Sequence, residues 1–235
     1  QFTHQATAMR LHVPNVLSKE QVKSIRQAME QDNQWVSGKR TAGGQAQQIK
    51  NNLQINLDSP LYQELNQFVL QQIKHSALIQ SFALPKDILP PLFNCYQDTG
   101  HYGNHVNNAV HFYAEKNKAV RTDVSMTIFL SEPDEYEGGE LVIEDTYGAH
   151  EVKLDAGDAI VYPATSLHRV EPVTQGTRIA SFTWIQSMVK DDWQRSMLFN
   201  LDMTIIQLRQ KLGDCEETVN LTSHYHNLLR QWAEL

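Results

Sequence analysis

The chain predicts an α+β fold: a double-stranded β-helix (jelly-roll) core, with flanking helices on its N-terminal side and further helices at its C-terminus. Two observations carry that expectation. From Pro90 to about residue 187, short runs rich in β-branched and aromatic residues alternate with glycine turns, the texture of a sandwich or barrel. On either side of that region the apolar residues recur at helical spacing instead.

Residues 1–8 precede the recognisable pattern and are set aside as an extension or tag remnant. Ser18 with Gln21 has the order of a capping box, and Val22, Ile25 and Met29 continue at helical spacing, which predicts an amphipathic helix over about 18–31. Ser37 to Gln48, with Gly38, Gly43 and Gly44, has no period and reads as a mobile loop of a length that often covers a site. Pro60 after Ser59 starts a second helix whose apolar face is Leu61, Leu65, Phe68, Val69 and Ile73, and a short helical piece precedes Pro85. Together these make a segment, 9–89, of helices and a loop packing on the core. In the core, 90–187, strands are expected at Leu92–Tyr96, Val124–Leu130, Glu140–Glu144, His150–Leu154, Ala159–Tyr162, His168–Val173 and Arg178–Ile185. Gly138-Gly139, Tyr147-Gly148, Ala156-Gly157-Asp158 and Gln175-Gly176 supply the turns. Helical period returns in 188–235, through Trp193, Met197, Leu198, Leu201, Ile205 and Leu212, then Leu221, Tyr225, Leu228, Leu229 and Trp232.

Composition narrows the function. With 20 Lys+Arg against 27 Asp+Glu and a formal charge of −7, the chain lacks the basic balance that nucleic-acid binding draws on, so no nucleic-acid partner is expected. Cys95 and Cys215 have no metal-type spacing. No apolar run approaches the roughly 18 residues that span a bilayer, and no signal-peptide order is present, so the expectation is a cytoplasmic protein with no membrane partner. The apolar stripes of the C-terminal helices offer a surface for a homodimer.

The chemistry is carried by His105-Val106-Asn107, Leu167-His168 and Arg178. Two histidines on separate segments, one followed two positions later by a short oxygen-bearing side chain, suit a facial half-shell around a divalent metal such as iron(II), with open positions left over. The customary third ligand of such a shell is a carboxylate, and here it is a neutral amide. Arg178, ten residues past His168 on the next expected strand, has the donor fork to grip a carboxylate.

Several separated motifs agree in order: His105-Val106-Asn107, Gly138-Gly139-Glu140-Leu141, Ala156-Gly157-Asp158, Tyr162-Pro163, Leu167-His168-Arg169-Val170 and Arg178. In this order the chain resembles the iron(II)- and 2-oxoglutarate-dependent dioxygenases of the prolyl-hydroxylase type, and among them the bacterial PKHD-type hydroxylases, from Met9 to Leu235. The resemblance implies that His105, Asn107 and His168 face iron, that Arg178 holds the 2-oxoglutarate carboxylate, and that Tyr96 also reaches this cosubstrate. It implies oxidative decarboxylation of 2-oxoglutarate by O2 coupled to C–H hydroxylation of a small-molecule or peptide-like substrate, with L-ascorbate keeping the iron reduced. The family carries Asp where this chain has Asn107, so weaker iron binding and little turnover are expected. An inactivating substitution and a tolerated weak ligand both fit. The rival readings are a non-catalytic binding protein on the same scaffold and a cupin-like metalloenzyme of other chemistry. His101 and His111 read as solvated loop residues, Asp123 as structural, and Trp184 as packing near the site.

Overall fold

The computed structural model describes residues 9–41 and 48–235. The extension at 1–8 and the part of the expected loop at 42–47 lie outside the described residues. In chain order the elements begin with β1 (Leu11–Val13), α1 (Lys19–Gln31), β2 (Trp35–Ser37), β3 (Lys50–Asn51), β4 (Leu53–Ile55), α2 (Pro60–His75) and α3 (Ala77–Ala83). Next come β5 (Pro85–Ile88), β6 (Leu92–Tyr96), β7 (His101–His105), β8 (Val110–Tyr113), β9 (Lys118–Arg121) and β10 (Val124–Phe129). The second half of the barrel is β11 (Tyr136–Gly138), β12 (Leu141–Asp145), β13 (Gly148–Val152), β14 (Ala159–Pro163), β15 (His168–Val170), β16 (Val173–Gly176) and β17 (Arg178–Ser187). Two helices follow, α4 (Asp192–Leu212) and α5 (Glu216–Trp232).

The strands form two main sheets. The larger runs β1-β14-β10-β17-β6-β4-β2 with β5 also on β17, and the smaller runs β13-β12-β15-β7-β3. Strand alternation sorts their side chains. Val124, Met126 and Ile128 of β10 join the core beneath α1, α2 and α3, while Phe129 turns inward to the cluster with Tyr96, Leu141, Ile143 and Tyr162. On β17, Ile179 and Ile185 face the helices, whereas Arg178, Phe182 and Trp184 face the space between the sheets.

Local chemistry fixes the helices that back the larger sheet. The Ser18 hydroxyl accepts from the Gln21 amide at 3.2 Å and the Gln21 side chain accepts from the Ser18 amide at 2.8 Å, the reciprocal capping box. Ser59 caps α2 by accepting from the Tyr62 amide at 3.1 Å, and Pro60 occupies its first turn. At the C-terminus, Tyr225, Leu228, Leu229 and Trp232 of α5 pack with Leu84, Val189 and Leu198.

Three expectations need correction. The segment before Pro90 is more than helices and a loop, because β2 and β4 extend the larger sheet and β3 edges the smaller one; strands of two or three residues are too short to show alternation. Within the expected loop, Gly38–Thr41 forms a 3-10 turn. The single strand expected over His168–Val173 is broken at Glu171-Pro172 into β15 and β16, which enter different sheets, so Arg178 lies two strands past His168 rather than one.

Gly157 welds the start of α1 to the barrel. Its carbonyl accepts from the Leu17 amide at 3.0 Å and its own amide donates to Phe129 at 2.8 Å. Its φ is +99°, and a Cβ there would fall 2.2 Å from the Leu17 carbonyl oxygen. Both the backbone angle and the clash exclude a side chain. Gly157→Ala is expected to cost about 2–3 kcal/mol, read as a lower urea midpoint, and an unchanged midpoint would show that this turn relaxes freely.

Candidate active site

Between the two sheets lies a cleft, open at its mouth, lined by residues of both. The smaller sheet supplies its histidines. His105 ends β7 and His168 begins β15, and these two residues are direct cross-strand partners. The two strand ends are distant in sequence, and pairing makes them adjacent in space. Their rings stand 4.2 Å apart between centroids, tilted at 54° to each other.

Each imidazole is held by its own backbone. Nδ1 of His105 lies 2.7 Å from the Gly103 carbonyl and Nδ1 of His168 lies 3.0 Å from the Ser166 carbonyl. A carbonyl only accepts, so both Nδ1 atoms carry the proton in the neutral ring and both Nε2 lone pairs stay available for a metal. Tyr102 stacks on His105 at 3.6 Å and Tyr162 meets His168 edge-on at 5.5 Å. Burial, with a smaller contribution from His168, pushes the His105 pKa down to about 4, and burial likewise lowers that of His168. Both rings are neutral at pH 7, the form that binds metal.

Asn107 follows β7 and also lines the cleft, but its side-chain nitrogen is buried with no hydrogen-bond partner. Among the described residues, no group of three His, Cys, Asp or Glu side chains is placed to hold a metal. Two imidazoles and one neutral amide are what this site offers a divalent cation.

The larger sheet supplies the cation. Arg178 is 1% exposed, paired with Tyr96 across β17 and β6, and its guanidinium lies 5.3 Å from the Tyr96 ring centroid and 5.2 Å from that of Phe129. The aromatic faces partly offset its burial. Its Nε and one terminal nitrogen have no acceptor, an arrangement that costs on the order of several kcal/mol unless an anion enters the cleft. Burial also pushes the Tyr96 and Tyr162 hydroxyls up to about 12, so both remain protonated donors at neutral pH.

The structure thus brings His105, His168, Asn107, Arg178 and Tyr96 to one cleft. It also corrects His111: far from solvated, this residue sits on β8, stacks on Trp184 at 4.4 Å, lines the cleft, and has a buried Nε2 without a partner. His101 belongs to β7 rather than a loop. Trp184 lines the cleft, and Asp123 is structural, accepting from Arg121 and from the Ser187 amide at 2.9 Å. Sequence reasoning passed over Asn94 and Lys50, and quoted Tyr162 only as part of a motif, without a place in the site. Asn94 was within reach, since it is two residues from Tyr96 on one strand and so shares its face. Lys50 had no such signal, because β3 spans only two residues.

The depressed His105 pKa makes stability pH-dependent in the metal-free protein. The ring titrates near 6.5 in the unfolded chain and near 4 in the fold, so the unfolded state binds more protons between these values. Its contribution is full above pH 6.5 and falls as the pH is lowered towards 4, on the order of 3 kcal/mol in total. Urea unfolding of the chelator-treated protein across pH 4–7 is expected to show this loss, with a shallower slope in His105→Gln. Equal slopes would remove the assignment.

Comparison with known proteins agrees with this arrangement. The family profile of the 2OG-Fe(II) oxygenase superfamily matches residues 91–186, and that of the PKHD-type hydroxylase C-terminal domain matches residues 192–234. A PKHD-type hydroxylase of Herminiimonas arsenicoxydans is 54% identical over 223 residues, 95% of this chain and 99% of the relative. Another, of Aliarcobacter butzleri, is 53% identical over 227 residues, 97% of this chain and 100% of the relative. The crystal structure of a Pseudomonas putida prolyl-4-hydroxylase shares the fold with a TM-score of 0.55 at 18% identity, over 77% of this chain and 94% of that one. HygX of Streptomyces hygroscopicus, solved with nickel and 2-oxoglutarate bound, shares it at 0.52 and 14% identity, over 78% and 85% of the two chains. The jelly-roll fold, the paired imidazoles beside a buried arginine, and relatives matched along nearly their whole length place the chain in the PKHD-type hydroxylases, a family of iron(II)- and 2-oxoglutarate-dependent oxygenases.

Proposed function

We propose that His105, His168 and the Asn107 carbonyl oxygen hold iron(II), that Arg178 and Tyr96 hold the far carboxylate of 2-oxoglutarate, and that the protein hydroxylates a C–H bond of a small-molecule or peptide-like substrate. The observation that carries this reading is Arg178: a buried guanidinium with unpartnered donors, in the same cleft as two imidazoles whose Nε2 atoms are available. When bound, iron(II) would activate O2, the oxidant, with 2-oxoglutarate supplying two of the four electrons that reduce it and the substrate C–H bond the other two. The chain's own part is to orient and to shield. The backbone carbonyls of Gly103 and Ser166 fix the imidazole tautomers, Arg178 sets the cosubstrate's direction through a bidentate grip, and the Tyr96 hydroxyl, protonated at neutral pH, donates beside it. Phe182, Trp184 and Leu92 add apolar surface to the cleft wall.

Asn107 favours a second reading, a scaffold that binds 2-oxoglutarate with little turnover. An amide oxygen has no full charge, so the metal's charge stays at two where the family's aspartate would reduce it to one. At an effective dielectric of 20, one charge at 4 Å is worth about 4 kcal/mol before desolvation. We further assign L-ascorbate as the reductant that maintains iron(II), a cytoplasmic location on the strength of the free Cys95 and Cys215, and a homodimer through the exposed Trp193, Met197 and Leu212 of α4. No helix of the described residues is long and apolar enough to cross a membrane.

Two substitutions test the assignment. Asn107→Asp is expected to raise iron affinity more than about tenfold and to raise 2-oxoglutarate-dependent succinate formation. Equal iron binding and turnover in both proteins would refute the role of the missing charge, and turnover in neither would leave the binding scaffold as the function. Arg178→Leu is expected to weaken 2-oxoglutarate binding about 100-fold or more by calorimetry while leaving the circular dichroism unchanged, and an unaltered affinity would remove Arg178 from the cosubstrate site.

A further inference from the structure

The reading above gives duties to His105, Asn107, His168, Arg178 and Tyr96, and leaves one histidine of the cleft without any. His111 stands on β8 with its ring stacked on Trp184, 4.4 Å between centroids and 19° between planes. Its Nε2 is buried and has no hydrogen-bond partner among the described residues. Burial lowers its pKa, so at pH 7 the ring is neutral and offers a hydrogen bond rather than a charge. A fold gains nothing from burying that atom unpaired, whereas a phenylalanine would keep the stack with no polar atom left over.

Strand register sets this pair beside the imidazoles and far from the cosubstrate's anchor. Six residues of β17 separate Trp184 from Arg178, about 20 Å along an extended strand. The five carbons of 2-oxoglutarate, held at Arg178, end well short of that. Across the larger sheet Trp184 pairs with Ser125 and Ser125 with Tyr162, whose ring meets His168 at 5.5 Å. Trp184 is thus two strands, about 10 Å, from the tyrosine that touches a proposed metal ligand. Between this level and Arg178 the cross-strand partners Leu92 and Phe182 present apolar surface to the cleft. The C–H bond to be hydroxylated lies next to the metal, so its neighbourhood includes His111. We propose that His111 is a substrate-recognition residue, its Nε2 hydrogen-bonding a neutral amide of a substrate whose apolar body lies along Leu92, Phe182 and Trp184. This deepens the hydroxylase reading and rests on it, because the substrate's place follows from 2-oxoglutarate at Arg178 and a metal at His105 and His168.

The probe is N-acetyl-L-leucinamide, an uncharged amide with an apolar side chain. It is titrated into the full chain with saturating 2-oxoglutarate and zinc(II), a diamagnetic stand-in for iron(II), and followed by the nuclear magnetic resonance signals of the His111 Nε2 and the Trp184 indole. Calorimetry measures 2-oxoglutarate affinity separately. The probe is expected to move the Nε2 signal saturably. His111→Phe keeps the stack on Trp184 and removes the hydrogen bond, and should weaken the probe about tenfold, read at Trp184, with 2-oxoglutarate affinity unchanged. His111→Gln, whose side-chain amide reaches about as far as Nε2, should restore most of the affinity. The ligand-free His111→Phe protein should melt no lower than the unaltered chain, because it loses no paired polar group. An unmoved Nε2 signal, indifference of the probe to His111→Phe, or a glutamine variant as weak as the phenylalanine one overturns the proposal. So does a lower melting temperature in His111→Phe, which would make the histidine structural, or a loss of 2-oxoglutarate affinity, which would assign it to the cosubstrate. Failure of the hydroxylase reading looks different: the unaltered chain then does not bind 2-oxoglutarate in the calorimeter.

Discussion

The unpaired guanidinium of Arg178 is the constraint around which the rest of the molecule is arranged. A cation with 1% exposure and two unpartnered donors is an unfavourable thing to fold around, and its neighbours reduce the cost without removing it. Tyr96 and Phe129 offer aromatic faces, and no carboxylate pairs with it among the described residues. An anion that enters the cleft therefore gains a partner already positioned, and binding repays strain that folding left in place. By mass action such a ligand also stabilises the fold, because the unfolded chain has no equivalent site.

Holding that cation opposite the paired imidazoles requires two sheets with separate duties. The larger sheet contributes Arg178 and Tyr96 as cross-strand partners, and its other face is fixed by the helices packed on Met126, Ile128 and Ile185. The smaller sheet contributes His105 and His168 from two strands distant in sequence but adjacent in space. Neither element closes the cleft alone. The β8–β9 hairpin brings His111 against Trp184, and buried Asp87 anchors it through Lys116 at 2.9 Å and Lys118 at 2.6 Å. The base of the hairpin is tied at Arg121 to Asp123 and to Glu234 beyond α5, so the C-terminal helices bear on the rim of the site.

How far the sequence foretold this depends on the length of each signal. Long elements announced themselves: α1, α2, β10 and β17 have enough residues for their period to show, and Ser18, Ser59 and Pro60 mark helix starts by chemistry that operates locally. Strands β2, β3 and β4 span two or three residues and exist because long-range partners pair with them, which no local pattern records. The same division applies to the site. His105, His168 and Arg178 stand in motifs whose order is distinctive, whereas His111 and Lys50 acquire their place only when the hairpin and β3 are docked. His111 was read as a loop residue flanking the motif, whereas on β8 it alternates with the exposed Val110 and Phe112 and so points into the cleft.

Asn107 shows why fold and chemistry separate so cleanly in this chain. It lies just past the end of β7, its side chain has nearly the shape of an aspartate, and no recorded hydrogen bond of the fold depends on it. Its amide nitrogen is buried without a partner, so the fold itself gains no hydrogen bond from that end of the side chain. The metal feels the difference in full, since the amide returns one positive charge to a cleft that already holds Arg178 and Lys50. That added charge works in opposite directions on the two ligands: it weakens the hold on a cation and strengthens the attraction for an anion. Under the proposed assignment, the balance between a working hydroxylase and a 2-oxoglutarate-binding scaffold turns on the one side chain at position 107.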